Sequence, residues 1–301
     1  MTDLPVVYFV IGQTAVGKTA QSIQLATVID AEIISADSRQ IYRQMNIGTA
    51  KATATEQATV RHHLIDVVDP DQTFTLAQYR DAALTLINEI HARGKHVLVV
   101  GGTGQYLAAL LEGWTIPELP PNDTLRIALE AEAARDGGAA LHARLQVLDP
   151  TAAATIHATN VRRVIRALEV CISTGQPFSA LRQTTTLTFR PQVYWIQADA
   201  PTLYARIDQR VDTMIQTGLV DEVSQLVAAG YDWTLPAMSG IGYREFGPWF
   251  ANEQSLDEVR QRIKFNTHAF ARRQATWFRR FRTIPLAYTD ALVDVMQRHQ
   301  A

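Results

Sequence analysis

The 301-residue sequence predicts an α/β fold: a parallel-sheet core with helices on both faces, interrupted by an all-helical insertion. Three observations predict it. An apolar run at 6–11 leads into Gly12-Gln13-Thr14-Ala15-Val16-Gly17-Lys18-Thr19 and then a helical pattern, the strand–loop–helix context of a P-loop. Further apolar runs at 31–36 and 96–100 alternate with helical stretches, and such β-α alternation builds a parallel sheet with right-handed crossovers. Between about 117 and 185 the strand signals stop and Ala-rich helical patterns take over.

The elements follow in order. A strand at 6–11 precedes the glycine-rich loop, and a helix runs from Lys18 to about Ile29. A short strand at 31–36 ends at Asp37. A helix spans roughly Thr75 to Arg93 and stops at Gly94; the run His96-Val97-Leu98-Val99-Val100 then reads as a fully buried strand. That strand ends in Gly101-Gly102-Thr103-Gly104 and another helix. Pro117, Pro120 and Pro121 mark a boundary. Helices are expected at 125–135, 139–148 and 160–174, separated by Gly137-Gly138, Asp149-Pro150 and Gly175-Gln176-Pro177. A strand returns at 193–196, after which Leu203, Ile207, Val211 and Met214 step at helical spacing. The expected division is therefore a discontinuous P-loop core, 1–116 and 186–301, and a helical insertion, 117–185.

In such sheets ligands bind beyond the carboxyl ends of the strands. Three segments project there: the loop from Gly12 to Thr19, Asp37, and the turn from Gly101 to Gly104. Gly12 and Gly17 let the backbone turn tightly and aim N–H groups at one point, and the helix behind adds its positive end. Lys18 supplies a cation and Thr19 a hydroxyl for a divalent metal. The loop suits a polyphosphate without distinguishing ATP, GTP or another diphosphate. Asp37, a carboxylate beside a phosphate loop, reads first as a metal ligand, directly or through water, and alternatively as a general base; the sequence alone does not decide. Thr103, flanked by glycines, either donates its hydroxyl to a departing phosphate oxygen or lies in a turn that merely needs glycine. His62 and His63 are adjacent on an extended stretch and face opposite ways. No cysteine or carboxylate spacing completes a zinc site around them, so a structural role is expected.

Composition bounds the rest. At 47% hydrophobic the chain can bury a large core, and its one cysteine, Cys171, permits no intrachain disulfide. No signal peptide or membrane-spanning run is evident, so a cytoplasmic protein is expected, and without an exposed heptad stripe a monomer. Net charge is −2 but unevenly spread. Over 256–282 seven arginines and one lysine oppose Asp257 and Glu258, a net +6; over 156–190 five arginines oppose Glu169, a net +4. These segments are either a contact surface for a polyanion or simply solvated helix faces. Trp277, Phe278 and Phe281 read as core anchors of a helix that turns its arginines outward.

The motifs together resemble those of the bacterial tRNA dimethylallyltransferases, which modify adenosine 37 next to the anticodon. The resemblance rests on Gly12–Thr19, Asp37-Ser38-Arg39-Gln40-Ile41-Tyr42, Ile47-Gly48-Thr49-Ala50-Lys51 and His62-His63-Leu64-Ile65-Asp66. Gly101-Gly102-Thr103-Gly104-Gln105-Tyr106, Arg162-Arg163-Val164-Ile165-Arg166-Ala167-Leu168-Glu169, Gly240-Ile241-Gly242-Tyr243-Arg244-Glu245 and Arg273-Gln274-Ala275-Thr276-Trp277-Phe278 extend it over nearly the whole chain. Gln13, Val16, Ala52 and Gln105 depart from the usual Pro, Ser, Pro and Leu, and none of these changes removes a charged or nucleophilic group.

The resemblance implies transfer of a dimethylallyl group from dimethylallyl diphosphate to N6 of adenine 37 in tRNA. Gly12, Thr14, Ala15, Val16, Gly17, Lys18 and Thr19 would hold the diphosphate, with Mg²⁺ on Thr19 and Arg210 pairing with the leaving group. An exocyclic adenine amine is a weak nucleophile, so Asp37 is assigned as the base that takes its proton. Thr103 would orient Asp37 or donate to the bridging oxygen. The extruded base would meet Ser38, Arg39 and Gln40. Arg162, Arg163 and Arg166, spaced for one helical face, would grip the anticodon stem-loop, with Arg126 as a lesser partner. Gly242, Tyr243 and Arg244 would complete the wall. Three rivals share the loop: a small-molecule kinase, an isopentenyltransferase acting on free AMP, and a non-enzymatic RNA-binding NTPase.

Overall fold

The computed structural model describes residues 4–115, 122–181 and 183–300; the predicted boundary prolines Pro117, Pro120 and Pro121 lie outside them. The chain divides into two compact units, 1–111 with 187–301, and 112–186. In chain order the larger unit begins β1 (Val6–Gly12), α1 (Lys18–Val28), β2 (Ala31–Ala36), α2 (Ala54–Thr59), β3 (His62–His63), α3 (Leu76–Ala92), β4 (His96–Gly101) and α4 (Gly104–Leu111). The smaller unit holds β5 (Trp114–Thr115), α5 (Asp123–Asp136), α6 (Gly138–Leu148), α7 (Pro150–Thr155), α8 (Val161–Thr174), α9 (Phe178–Leu181) and β6 (Gln183–Thr184). The larger unit resumes with β7 (Arg190–Gln197), α10 (Ala200–Gln216), α11 (Leu219–Ala228), a 3-10 turn (Arg244–Phe246), α12 (Gly247–Phe250), α13 (Leu256–Phe278), β8 (Ile284–Ala287) and α14 (Leu292–Gln300).

The sheet of the larger unit has six strands in the order β3-β2-β4-β1-β7-β8, every pair parallel. Side chains alternate across a strand, and β1 shows what that does here. Tyr8 and Val10 enter one hydrophobic cluster with Ile33, Leu98 and Ile196, while Val7, Phe9 and Ile11 enter another with Ile34, Val97 and Val99. Both faces are thus buried, which is why the central strands read as unbroken apolar runs. The strand β8 did not stand out in the sequence because Pro285 interrupts its pattern; proline is tolerated there because β8 lies at the sheet edge.

Local chemistry sets the helix starts. Thr75 and Gln78 form a capping box ahead of α3, and Ser255 and Glu258 form another ahead of α13. Asp199 caps α10, whose first turn carries Pro201. The smaller unit has its own core, including Leu129, Leu141, Leu145, Val164 and Leu168. It is helical as expected, apart from the two-residue antiparallel ribbon β5–β6; that ribbon and the extra six-residue helix α7 are too short to show a period. Among the described residues no helix is long and apolar enough to cross a membrane. His63 meets Glu32 at 2.6 Å, and Arg93 meets the same carboxylate at 2.7 Å, so this histidine has a structural hydrogen-bond partner.

Candidate active site

The strand order puts β2, β4 and β1 side by side, so the loops after them emerge together at the carboxyl end of the sheet. In the ladders that join these three strands the last paired residues are Ala36, Gly101 and Ile11. Approach is so close that a Cβ on Gly101 would lie 2.2 Å from the Ala36 carbonyl oxygen.

The P-loop is shaped by steric exclusion as well as by glycine conformation. A Cβ on Gly12 would sit 2.8 Å from the Ile196 carbonyl oxygen. Gly17 has φ +104°, a left-handed conformation suited to glycine. Lys18 arches back so that its Nζ donates to the carbonyls of Gly12 and Gln13, both at 2.9 Å. Burial, with Arg210 adding to it, pulls the Lys18 ammonium down from 10.5 to about 8, and Asp37 acts in the opposite sense. Arg206 donates Nε to the Ala15 carbonyl at 2.8 Å.

The cradle is narrower than the sequence suggests. The Thr14 N–H is taken by Gln274 Oε1 at 2.8 Å, and the Val16 N–H points back at the Gln13 carbonyl at 3.4 Å. The Val16 side chain is buried in the core, where an apolar group fits better than the usual serine. Lys18 and Thr19 open α1, where first-turn amides have no acceptor within the helix.

Asp37 follows β2. Its Oδ1 accepts the Arg39 N–H at 2.8 Å, which fixes the carboxylate in a tight local turn. Thr103 Oγ1 accepts the Ser38 N–H at 3.0 Å and lies 3.4 Å from Ser38 Oγ. Thr103 therefore acts on the backbone next to Asp37 and makes no direct hydrogen bond to its carboxylate. Two cavities, of about 1300 and 470 Å³, share Thr14, Ala15, Asp37, Arg210 and Gln274 in their walls.

Several residues expected to meet RNA form hydrogen bonds within the protein. Arg39 donates to the Pro236 carbonyl at 2.6 Å and lies 3.4 Å from Ser239 Oγ, so it anchors the 236–239 segment. Gln40 takes the Ser35 hydroxyl on its oxygen and gives its Nε2 to the carbonyls of Thr49 and Ala50. Tyr243 is 1% exposed, with its hydroxyl 2.6 Å from Glu222 and its ring where a Cβ on Gly48 would go. All three thus support the protein's own structure, Arg39 and Tyr243 through partners distant in sequence and Gln40 through neighbours within ten residues. Gly242 is buried and gives its N–H to Glu245, whereas Arg244 is exposed beside Glu245.

In the smaller unit Arg126 and Arg166 both grip buried Glu169, at 2.9 and 2.7 Å. Burial would raise the Glu169 pKa, but hydrogen bonds from Arg166, the Asn122 N–H and Arg126 outweigh it and leave it lowered. Arg162 and Arg163 are exposed and form no ion pair among the described residues.

Glu222 is a functional support that the sequence did not announce. Its two carboxylate oxygens accept the N–H groups of Asn46, Ile47 and Gly48 at 2.9, 2.7 and 3.1 Å, besides the Tyr243 hydroxyl. It braces the loop whose Thr49 and Ala50 line both cavities. Charged hydrogen bonds contribute about 1.5–3 kcal/mol each, without adding fully. Glu222→Ala should cost on the order of 3 kcal/mol in urea unfolding and Tyr243→Phe, which loses one bond of four, about 1 kcal/mol.

A doubly wound parallel sheet that gathers a P-loop, a fixed carboxylate and a glycine-rich turn at one end defines a P-loop α/β enzyme. The chain belongs to the IPP transferase family, whose model matches residues 40–281. The tRNA dimethylallyltransferase of Roseiflexus castenholzii is 55% identical over 292 residues, covering 97% of this chain and 95% of its own length. That of Chloroflexus aggregans is 55% identical over 281 residues, covering 93% and 95%. Among solved structures, the full-length tRNA isopentenylpyrophosphate transferase of Bacillus halodurans is 38% identical with a TM-score of 0.71, covering 99% of this chain and 95% of that one. A eukaryotic dimethylallyltransferase acting on tRNA is 28% identical with a TM-score of 0.83, covering 99% and 78%.

Proposed function

We propose that this chain transfers the dimethylallyl group of dimethylallyl diphosphate to N6 of adenosine 37 in tRNA. The observation that supports the reading most is the position of Asp37, which lines both cavities together with the P-loop and Arg210. In this reaction the bond between the allylic carbon and the diphosphate oxygen breaks, and a bond from that carbon to N6 forms. The allylic group delocalises its developing charge, so the protein must chiefly stabilise the departing diphosphate and accept a proton. Lys18, Arg210 and the first amides of α1 supply the positive end. Asp37 takes the proton that N6 sheds, so the neutral secondary amine and free diphosphate are the products.

Mg²⁺ is proposed to accompany the donor. Among the described residues no three His, Cys, Asp or Glu side chains cluster as a metal cage. The Thr19 hydroxyl is then the protein's own ligand, and this sparse set suits an ion that keeps waters and relies on substrate phosphates. When bound, Mg²⁺ supplies neutralisation of diphosphate charge.

The smaller unit is proposed to hold the RNA through Arg162 and Arg163, whose guanidinium groups are free to meet phosphates. Changing both to Glu should raise the KM for RNA and leave kcat largely unchanged. The slope of log K against log salt should flatten by about 0.7–0.9 for each phosphate that is no longer neutralised.

The deciding experiment supplies labelled dimethylallyl diphosphate and Mg²⁺ to an anticodon stem-loop with adenosine at position 37. The same loop with guanosine there, and AMP, are run beside it. Label on the adenosine loop alone is expected. Label on AMP instead would reassign the acceptor to a free nucleotide, and no label together with ATP hydrolysis would reassign the P-loop to a nucleoside triphosphate.

A further inference from the structure

The buried stripe of α13 comprises Val259, Ile263, Ala271, Gln274 and Phe278. Four of these are apolar and the fifth is a primary amide, only 5% exposed. A buried amide is costly unless its oxygen and its NH₂ both find partners. Gln274 finds them on two different loops. Its Oε1 accepts the Thr14 N–H at 2.8 Å, and its Nε2 donates to the Gly102 carbonyl at 3.0 Å.

The amide has only one workable orientation, because Thr14 offers a donor and Gly102 an acceptor; turning it over would set NH₂ against N–H and oxygen against oxygen. Gly102 itself is cut to fit, since a Cβ there would lie 2.2 Å from Nε2.

The location gives this bridge its consequence. The ladder between β1 and β4 ends at Ile11 and Gly101. Beyond it the two chains part, one into the P-loop and the other into the turn that carries Thr103. The Gln274 amide spans that gap as a detached peptide group would, adding one more rung after the strands have ended. Thr103 then accepts the Ser38 N–H, and Ser38 follows Asp37. A continuous path thus runs from Thr14 through Gln274, Gly102, Thr103 and Ser38 to the carboxylate.

We propose that Gln274 is a positioning residue that sets the spacing between the diphosphate cradle and the Asp37 base. The proposal rests on the prenyl-transfer reading of Asp37, and it concerns the distance between the two halves of the site. It also gives a use to the Thr14 N–H, which is bonded within the protein.

The test measures prenyl transfer and, separately, binding of inorganic diphosphate with Mg²⁺ by calorimetry. Gln274→Ala, Gln274→Glu, Gly102→Ala and the double variant Gln274→Ala/Gly102→Ala are compared with the unmodified protein. A misplacement of about 1 Å can cost 10²-fold in rate, so Gln274→Ala should lower kcat by about 10–100-fold. The KM for RNA should stay within about twofold of the original, the split expected when an interaction matters only in the transition state. Gly102→Ala should reproduce that loss by pushing the amide aside. In the double variant the added methyl finds room, and the second change should cost less than about twofold. Gln274→Glu keeps the shape but needs a proton on its carboxyl to donate to Gly102, so its activity relative to the original should climb as pH falls.

Kcat within about twofold of the original in Gln274→Ala, full multiplication of the two single losses, or a Gln274→Glu profile parallel to the original would each overturn the proposal. Should the unmodified protein transfer no prenyl group, the prenyl-transfer reading fails. Diphosphate affinity that is then equal in all variants would overturn any role of the bridge in the site, whereas a shared drop in Gln274→Ala and Gly102→Ala would overturn the spacing to a base and leave the bridge shaping the P-loop alone.

Discussion

Replacing Asp37 by asparagine is expected to lower kcat by about 10²–10⁴-fold, the usual worth of a positioned general base. The substitution is nearly isosteric, and asparagine's side-chain oxygen can still accept the Arg39 N–H that fixes the turn. The strand β2 and the contact between Thr103 and Ser38 do not involve the carboxylate, so the protein should melt within a few degrees of the original. What disappears is the negative charge and, with it, the capacity to take a proton. Diphosphate binding in the presence of Mg²⁺ and RNA binding should therefore persist while turnover falls. Calorimetry with inorganic diphosphate and filter binding with the stem-loop separate the two. If affinity for diphosphate with Mg²⁺ collapses instead, Asp37 is chiefly a metal ligand and the proton must leave by another route. Thr103→Val gives a graded companion: it removes the acceptor for the Ser38 N–H but leaves the carboxylate, so its loss in kcat should be smaller than that of Asp37→Asn.

What could be read in the sequence was whatever short-range pattern encodes. The P-loop, the strand ending at Asp37 and the strand ending at Gly101 each carry their signal within about ten residues, and together they fix where the site lies. Arg39 and Tyr243 look functional by motif, yet their contacts depend on partners that motif reading does not supply. Arg39 reaches Pro236 and Ser239, and Tyr243 reaches Glu222. Arg166 and Glu169 pair at i,i+3 spacing on one helix, and the Arg126 contact that completes the cluster comes from another helix. Gln274 left the clearest missed signal. A lone glutamine on the apolar stripe between Ala271 and Phe278 contradicts the helix's own pattern, and such a contradiction marks a buried polar group with a specific partner. Glu222 left none, because a glutamate in the first turn of α11 is ordinary and its three amide partners lie far upstream.

Lys18→Met is expected to weaken diphosphate binding by about 10–100-fold, the equivalent of the 1.5–3 kcal/mol carried by a charged hydrogen bond, and to stabilise the ligand-free protein. The two effects have one cause. In the folded protein burial and Arg210 bring the ammonium down to about 8, against 10.5 for an ordinary lysine. Between those values the unfolded chain holds the proton more firmly than the folded one, so stability from this group rises as pH climbs from about 8 to 10.5. Below about 8 both states are charged, and the folded state bears the cost of holding a half-buried ammonium ion beside Arg210. Methionine removes that cost, so the gain in melting temperature should be present at pH 7 and fade towards pH 10.5. Diphosphate reverses the balance: its negative charge favours the ammonium form and raises the pKa of the bound state. Binding should therefore take up a proton near pH 8–9, measurable by calorimetry in two buffers of different ionisation enthalpy, and affinity should fall as pH rises above about 8. Lys18→Met should show neither the proton uptake nor that fall. A lysine held ready at the expense of stability is what a site for a highly charged leaving group requires, since the cation must be poorly solvated before the anion arrives if it is to act strongly upon it.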